Sequence, residues 1–299
     1  MKEPKYTSIS VCIATFQRDD ALLNSLSELS KSSFVDFEIL ILDNGQSKAL
    51  PGLLETLPVK QPLQLVQASE NLGCANLNRL FQKARGQIVV CFDDDSYPAE
   101  DCLENAYRAF QSNPELGMIG FKMHTPETGE PWHDPWWNPE ETEVKATVFC
   151  IGCGMAFRRD SRLPVDLCIP DIVSQAHELS IAAEILRLGY AIEFHPECRA
   201  YHPDTGTGYT GKKAESGNLN QLRFLLRYSD PKSLRLIRWT HRLLRLRGMP
   251  HSCAFIRDYL HESPRMPLSR PLMQKFHTVL DWHLHPRLKL FAATPSPKR

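Results

Sequence analysis

Three consecutive aspartates, Asp93, Asp94 and Asp95, end the apolar run "IVVCF" in the segment "IVVCFDDDSYPAED". Two carboxylates about 5 Å apart at an effective dielectric near 20 repel by roughly 3 kcal/mol, so the cluster calls for a neutralising partner. Oxygen donors of this kind suit Mg²⁺ or Mn²⁺, which keep coordination positions for substrate phosphates. The plainer reading is a solvated loop capping a helix that begins near Pro98. Glu178, beside His177 at the head of the helical stretch "AHELSIAAEILRLGY", could take a proton from a hydroxyl. His202 follows an apolar strand, and imidazole serves borderline cations. Trp132, Trp136 and Trp137 lie in the Pro- and Glu-rich stretch "HTPETGEPWHDPWWNPEETE", where flat indoles either meet a ligand or pin a loop to the core.

These groups need positioning, and the first hundred residues supply it. "SISVCIAT", "FEILILDNG", "LQLVQAS" and "QIVVCFDDD" read as strands; "RDDALLNSLSELSKSS", "ALPGLLETL" and "CANLNRLFQKARG" read as helices between them. Such alternation predicts a mostly parallel sheet covered on both faces, with ligands beyond the carboxyl ends of its strands. Thr15, Asp43 and Asp93 to Asp95 all fall there. Residues 122–148 read as a long ordered loop, followed by the strands "TVFCIGCGMAFRR" and "AIEFHPECRAYH" on either side of the Glu178 helix. From about 215 the chain turns helical and basic. In "SLRLIRWTHRLLRLRG" the arginines 235, 238, 242 and 245 share one helix face and apolar residues another, so 234–247 either packs on the catalytic part or lies on an anionic membrane surface.

Composition narrows the class. With 35 basic and 35 acidic residues the formal net charge is zero, which argues against a chain-wide nucleic-acid surface. Nine scattered cysteines form no disulfide framework, and "CIGC" has no second pair to complete a zinc site. No apolar run of about 18 residues and no signal-peptide core is present, so a cytoplasmic location is expected.

In order and spacing these motifs resemble the family 2 glycosyltransferases of the GT-A fold. "IATFQR" is similar to the family's opening motif and keeps Thr15, Phe16 and Arg18, with alanine at 14 in place of proline. "LILDNG" supplies Asp43 as a base contact. "NLGCANLNRLFQKARG" matches Asn71, Gly73, Asn78 and Gly86, with Leu77 where an arginine is usual. "CFDDD" resembles the Asp-x-Asp metal motif. The resemblance implies that Asp95 holds Mn²⁺ or Mg²⁺, that Asp93 faces ribose or metal, and that Asp94 belongs to the donor pocket. "GCGMAFRR" is similar to the acceptor segment, giving Gly152, Gly154 and Arg158; its other reading is a strand with packing glycines. Counting back from Gly189, the general-base pair falls on His177 and Glu178, with histidine in the usual first carboxylate position. Glu178 would be the base and His177 its orienting partner, or His177 itself the base. His202 would close the metal site.

The resemblance implies an α/β architecture, a GT-A Rossmann-like fold with a mostly parallel central sheet, followed by C-terminal helices. Residues 1–212 would form the catalytic domain, its nucleotide-sugar half about 1–100 and its acceptor half about 101–212; 213–299 would be a helical extension. The implied reaction is inverting transfer from a UDP, dTDP or GDP sugar to a saccharide, lipid-linked or small-molecule acceptor, with no nucleic-acid partner. The competing readings are a sugar-nucleotide-binding pseudoenzyme and a nucleotidyltransferase.

Overall fold

A computed structural model describes residues 7–132, 140–148, 150–170, 172, 174, 176–203, 211–229, 266–269 and 272–273; for 211–219 it describes the backbone alone. The chain divides into two compact units, Met1–Tyr209 and Thr210–Arg299.

In the first unit, β1 (Ile9–Thr15), α1 (Asp19–Leu29), β2 (Phe37–Asp43), α2 (Leu50–Leu54), β3 (Leu63–Gln67), a 3₁₀ turn (Gly73–Asn76), α3 (Leu77–Lys83) and β4 (Ile88–Asp93) alternate. Each strand from β1 to β4 pairs parallel with its neighbour, in the order β3-β2-β1-β4. The apolar residues of β1, β2 and β4 are almost wholly buried, as expected for strands covered on both faces. A short β5 (Tyr97–Pro98) precedes α4 (Cys102–Ser112), β6 (Leu116–His124), β7 (Lys145–Ala146), β8 (Gly154–Arg158), α5 (His177–Arg187) and β9 (Ala191–Tyr201). The sheet continues β4-β8-β6-β9-β5, with β7 on β9. β6 and β9 run parallel to each other, and β8 runs antiparallel between β4 and β6. The architecture is the expected α/β fold with a mostly parallel central sheet.

Three expectations change. Pro98 lies in β5, and α4 starts four residues later after Asp101. "LGMIGFKMH" forms a nine-residue, largely buried strand, whose last residues, Lys122 to His124, open the stretch 122–148 read as a loop. In "TVFCIGCGMAFRR" only Gly154–Arg158 is strand. The Ala-Arg-Gly segment sits at the amino edge of the sheet, where Arg85 Nε donates to Glu38 Oε2 at 2.8 Å and Gly86 N–H to Ser10 Oγ at 2.8 Å.

In the second unit α6 (Gly211–Tyr228) is followed by backbone bonds from Met266 N–H to Arg227 O (3.0 Å) and Leu268 N–H to Tyr228 O (2.8 Å). Residues 234–247 lie outside the described residues.

Candidate active site

Because β8 is antiparallel, its first residue Gly154 pairs with Phe92 at the carboxyl edge of β4. That edge therefore collects the ends of β1, β4 and β9, the start of β8 and the head of α5.

The three aspartates part company here. Asp94 is buried; its carboxylate accepts from Thr15 Oγ1 at 2.8 Å and pairs with Arg18 Nη1 at 2.8 Å, while Ser25 Oγ donates to its carbonyl at 3.0 Å. Burial pushes its pKa up to about 6, against the Thr15 hydrogen bond and the Arg18 charge. Asp94 thus anchors the loop instead of facing a donor. Arg18 Nη2 also reaches Asp95 Oδ2 at 2.5 Å, and this hydrogen bond raises the guanidinium pKa. The charge partner demanded by the aspartate cluster is therefore partly Arg18, which as placed lies on carboxylates rather than toward a nucleotide.

Asp93 and Asp95 point toward His202, whose Nε2 is 3.9 Å from Asp93 Oδ2 and 3.3 Å from Asp95 Oδ1. His202 Nδ1 lies 2.8 Å from the Pro203 carbonyl, which leaves Nε2 turned to the two carboxylates. A hydrogen bond from the remaining ring nitrogen to a backbone carbonyl is a common support for a metal-bound histidine. Asp93, Asp95 and His202 fit a Mn²⁺ or Mg²⁺ ion by donor type and convergence. Asp93 is open to solvent on one side, yet desolvation by the crevice floor raises its pKa. Trp132 packs against His202 with ring centroids 4.8 Å apart, and its indole Nε1 is buried with no hydrogen-bond partner among the described residues.

The first two residues of "GCGM" link this group to Glu178. Cys153 Sγ lies within 4.8 Å of the ligand atoms of Asp93 and His202. On the preceding residue, a Cβ at Gly152 would fall 2.5 Å from His177 Cε1 and 3.3 Å from Glu178 Oε2. The hydroxyl of Ser96 accepts from Asp93 N–H at 2.8 Å and donates to the Cys153 carbonyl at 2.8 Å, stitching the two segments together.

α5 enters through Ala176, a buried non-glycine residue at φ 63° and ψ 10°. Left-handed backbone at such a residue is strained and persists where surrounding packing demands it. It delivers His177 and Glu178 to the crevice. Glu178 is nearly buried, and desolvation raises its pKa despite the neighbouring His177. Burial alone would lower the pKa of His177, but hydrogen bonding and charge from Cys74, with Glu178 and Asp93, raise it to about 10. His177 Nδ1 is 3.3 Å from Glu178 Oε2 without hydrogen-bond alignment. An imidazole that keeps its proton is a poorer proton acceptor than a free one, and a carboxylate with a raised pKa is a better one than an ordinary carboxylate. A raised histidine pKa also makes a stability statement: the contribution is complete below the unfolded value of 6.5 and disappears as pH rises toward about 10. In urea titrations the stability gap between the natural chain and His177→Gln should accordingly narrow from pH 6 to pH 10.

The side chains packed around Gly152 leave no room for a methyl group. Gly152→Ala should lower turnover about 10–100-fold, since displacements near 1 Å at reacting groups cost that much, while nucleotide affinity measured by calorimetry stays unchanged.

Several residues are placed elsewhere. Arg158, at the other end of β8, donates to the carbonyls of Leu116, Phe110 and Asn113 at 3.0, 2.9 and 3.2 Å, so it caps α4 and does not reach an acceptor. A Cβ on Gly154 would meet Met123 Sδ at 2.4 Å, which makes it a packing glycine. Asn78 is buried; it donates to Cys168 O and accepts from Cys168 N–H, both at 2.8 Å, which clasps two segments and leaves no face for a nucleotide. Asn78→Ala should cost about 1–3 kcal/mol by denaturant titration, two net hydrogen bonds' worth, and leave nucleotide affinity intact. Asp43 is buried and accepts from the N–H groups of Gly45 and Ser47, each at 2.7 Å, shaping the turn after β2. Asn71 Oδ1 accepts from Gly73 N–H at 2.9 Å, ordering the loop that carries Cys74. Phe16 is nearly half exposed at the end of β1, available for a flat ligand. Trp136 and Trp137 lie outside the described residues. Cys74 and Ser96 joined the site without any local motif to announce them, and Cys153 did so through a motif, "CIGC", weighed only as half of a zinc site.

Residues 10–162 match the family described as "Glycosyl transferase family 2". An "Uncharacterized glycosyltransferase YfnE" from Bacillus subtilis is 29% identical over 113 residues, 37% of this chain and 29% of the relative. The poly-beta-1,6-N-acetyl-D-glucosamine synthase of Staphylococcus epidermidis is 25% identical over 112 residues, 37% of this chain and 27% of the relative. The chain thus spans under a third of the length of either. Among solved structures, the mannosyltransferase PcManGT from Pyrobaculum calidifontis, in complex with GDP-Man and Mn²⁺, superposes with TM-score 0.53 at 18% identity, covering 97% of this chain and 87% of that one. S. aureus TarS in complex with UDP-GlcNAc gives TM-score 0.53 at 14% identity over 94% of this chain and 77% of that one. These structures share the fold, and the family match takes in every strand that builds the carboxyl edge except β9: the chain belongs to glycosyl transferase family 2.

Proposed function

We propose that this protein transfers a sugar from a nucleoside-diphosphate donor to an acceptor hydroxyl with inversion, using Glu178 as general base. One observation carries the reading: the adjacent residues Gly152 and Cys153 set Glu178 beside the Asp93, Asp95 and His202 group. Glu178 takes the acceptor's proton as its oxygen attacks the anomeric carbon on the face opposite the diphosphate. Desolvation has already raised its pKa, which improves it as a base. His177, protonated, keeps a positive charge next to Glu178 and holds the Cys74 loop against the head of α5. Asp93, Asp95 and His202 would hold Mn²⁺ or Mg²⁺, which when bound offsets charge developing on the diphosphate. Arg18 gains a free guanidinium face whenever a cation takes over Asp95, and then becomes available to phosphate oxygens. Phe16 offers a flat surface to the base, and Trp132 a surface and an indole N–H to a sugar.

The solved structures of similar fold carry GDP-Man or UDP-GlcNAc, so the donor's base is a question for this chain itself. Acceptors of the proposed class are saccharides, lipid-linked saccharides or small hydroxylated molecules. No helix among the described residues is long and apolar enough to cross a membrane; contact of 234–247 with a membrane surface belongs to the proposal only if the acceptor is lipid-linked. The test is calorimetric titration of UDP, GDP and dTDP with and without Mn²⁺. Metal-dependent binding of one nucleotide is expected. Failure of all three, with metal and with candidate acceptors present, would sink the proposal.

A further inference from the structure

A second cluster of metal-ligating side chains lies on β9, away from the crevice. The register between β6 and β9 jumps from Phe121↔His195 to Lys122↔Arg199, so Pro196, Glu197 and Cys198 are extra residues thrown into a bulge. Bulges re-aim side chains that a regular strand would send to opposite faces. Here the bulge brings ligand atoms of His195, Glu197 and Cys198 within 4.8 Å of one another. Cys102, the first residue of α4, hydrogen-bonds the Cys198 thiol from the facing element. His195 is buried with each ring nitrogen on a carboxylate: Nδ1 is 2.7 Å from Glu197 Oε1, and Nε2 is 2.9 Å from Glu193 Oε2.

We infer that this bulge is a zinc site, with His195 Nδ1, Glu197 and Cys198 as ligands and Cys102 as the fourth. The donor types are those of a borderline-soft ion: imidazole, thiolate and a single carboxylate. The size is suitable. A tetrahedral Zn²⁺ at about 2.0 Å from N and O and 2.3 Å from S keeps its ligands roughly 3.3–3.8 Å apart, so Cys198 Sγ closes in by about 1–1.5 Å at most, while His195 Nδ1 and Glu197 Oε1, 2.7 Å apart, open to make room for the ion. Glu193 supplies the outer support, since a carboxylate on the remaining histidine nitrogen is the common partner of a zinc-bound imidazole. Acidic groups lie beside Cys198: Glu197 and Asp101 act on its thiol, with Arg199, whose guanidinium is 3.5 Å from Asp101, as the neighbouring base. Glu197 is 44% exposed on its side chain and opens a path for entry. Binding expels the Sγ protons of both cysteines and the Nδ1 proton of His195 to the buffer. The ion would tie the first turn of α4 to β9 just before that strand delivers His202 to the crevice.

Co²⁺ reports thiolate ligation through a charge-transfer band. The full chain, stripped with chelator and supplied with excess Mg²⁺ to saturate the carboxylates of the crevice, is titrated with Co²⁺ and then with competing Zn²⁺. The expected result is a band that Zn²⁺ abolishes, that Cys198→Ser removes and that Cys153→Ser leaves in place. Glu193→Gln should weaken Co²⁺ binding 10–100-fold, as loss of an outer partner typically does. Absence of a band, its persistence in Cys198→Ser, or its loss in Cys153→Ser alone would overturn the assignment. If Cys198→Ser fails to fold, Glu193→Gln and Glu197→Gln at the rim decide: unchanged Co²⁺ affinity in both would leave a histidine held by two glutamates and no zinc site.

Discussion

Glu178→Gln is expected to lower the rate of sugar transfer 10²- to 10⁴-fold, the range lost with a positioned general base, while donor affinity stays within about twofold. The amide keeps the size of the carboxylate and its place above Gly152, so binding and folding should survive. Only the capacity to accept a proton is removed. The natural enzyme should show an acidic limb in kcat/KM, rising with pH through a midpoint above 4.5, because desolvation raises the Glu178 pKa in the folded chain. The variant should lose that limb. Single-turnover rates with bound donor are the decisive measurement, as product release cannot mask the chemical step there. A variant that turns over at the natural rate would move the base elsewhere, and a natural chain that binds donor tightly but transfers to no acceptor would be a pseudoenzyme.

The second large effect belongs to Asp95→Asn. Even the outer partners of metal ligands typically cost 10–100-fold in affinity when removed, so loss of a direct ligand should weaken metal-dependent nucleotide binding by at least that factor, with transfer falling in parallel. Stability should barely change. The Asp95 carboxylate pairs with Arg18, whose side chain is 50% exposed, and ion pairs with so exposed a partner contribute little. His202→Gln should reproduce the metal defect without touching Arg18, which separates loss of the ligand set from release of the arginine. Metal-dependent binding and transfer at natural levels in both variants would refute the assignment of the cation to this cluster.

The parallel half of the sheet was legible because burial on both faces writes itself into sequence as continuous apolar runs, as in "SVCI", "EILIL" and "IVVCF". β6 was not, because "LGMIGFKMH" interrupts its apolar residues with two glycines and a lysine and leads into a proline-rich stretch. The positions of Asp93, Asp95, Glu178 and His202 could be read from motif order, since each lies at or just beside the end or start of an element whose period is clear. What each side chain does there is another matter. Asn78 matched a motif but clasps the backbone of a residue 90 positions away, a contact no local pattern encodes. Arg158 was read toward the crevice because a five-residue strand does not reveal which of its ends faces the ligand. Arg18 was read as a nucleotide contact, and only the fold shows it on Asp94 and Asp95. The link between Cys74 and His177 joins the 3₁₀ turn to the head of α5, two elements whose proximity depends on the whole sheet.

The antiparallel β8, inserted between β4 and β6, has a consequence for how this protein is made. Chemistry-bearing residues from Thr15 to His202 meet only when β8 and β9 have found their places, and even the early pair Thr15 and Asp94 is separated by 79 residues. Contacts of such long sequence separation form slowly. During synthesis a chain ending before β9 can already pack the parallel β1-to-β4 half, yet it lacks the histidine that closes the carboxylate group. If the proposed reaction holds, competence for it comes late in biogenesis, after the β1-to-β4 half has formed, and for that interval the aspartates at the edge of β4 have the Arg18 guanidinium as their counter-charge.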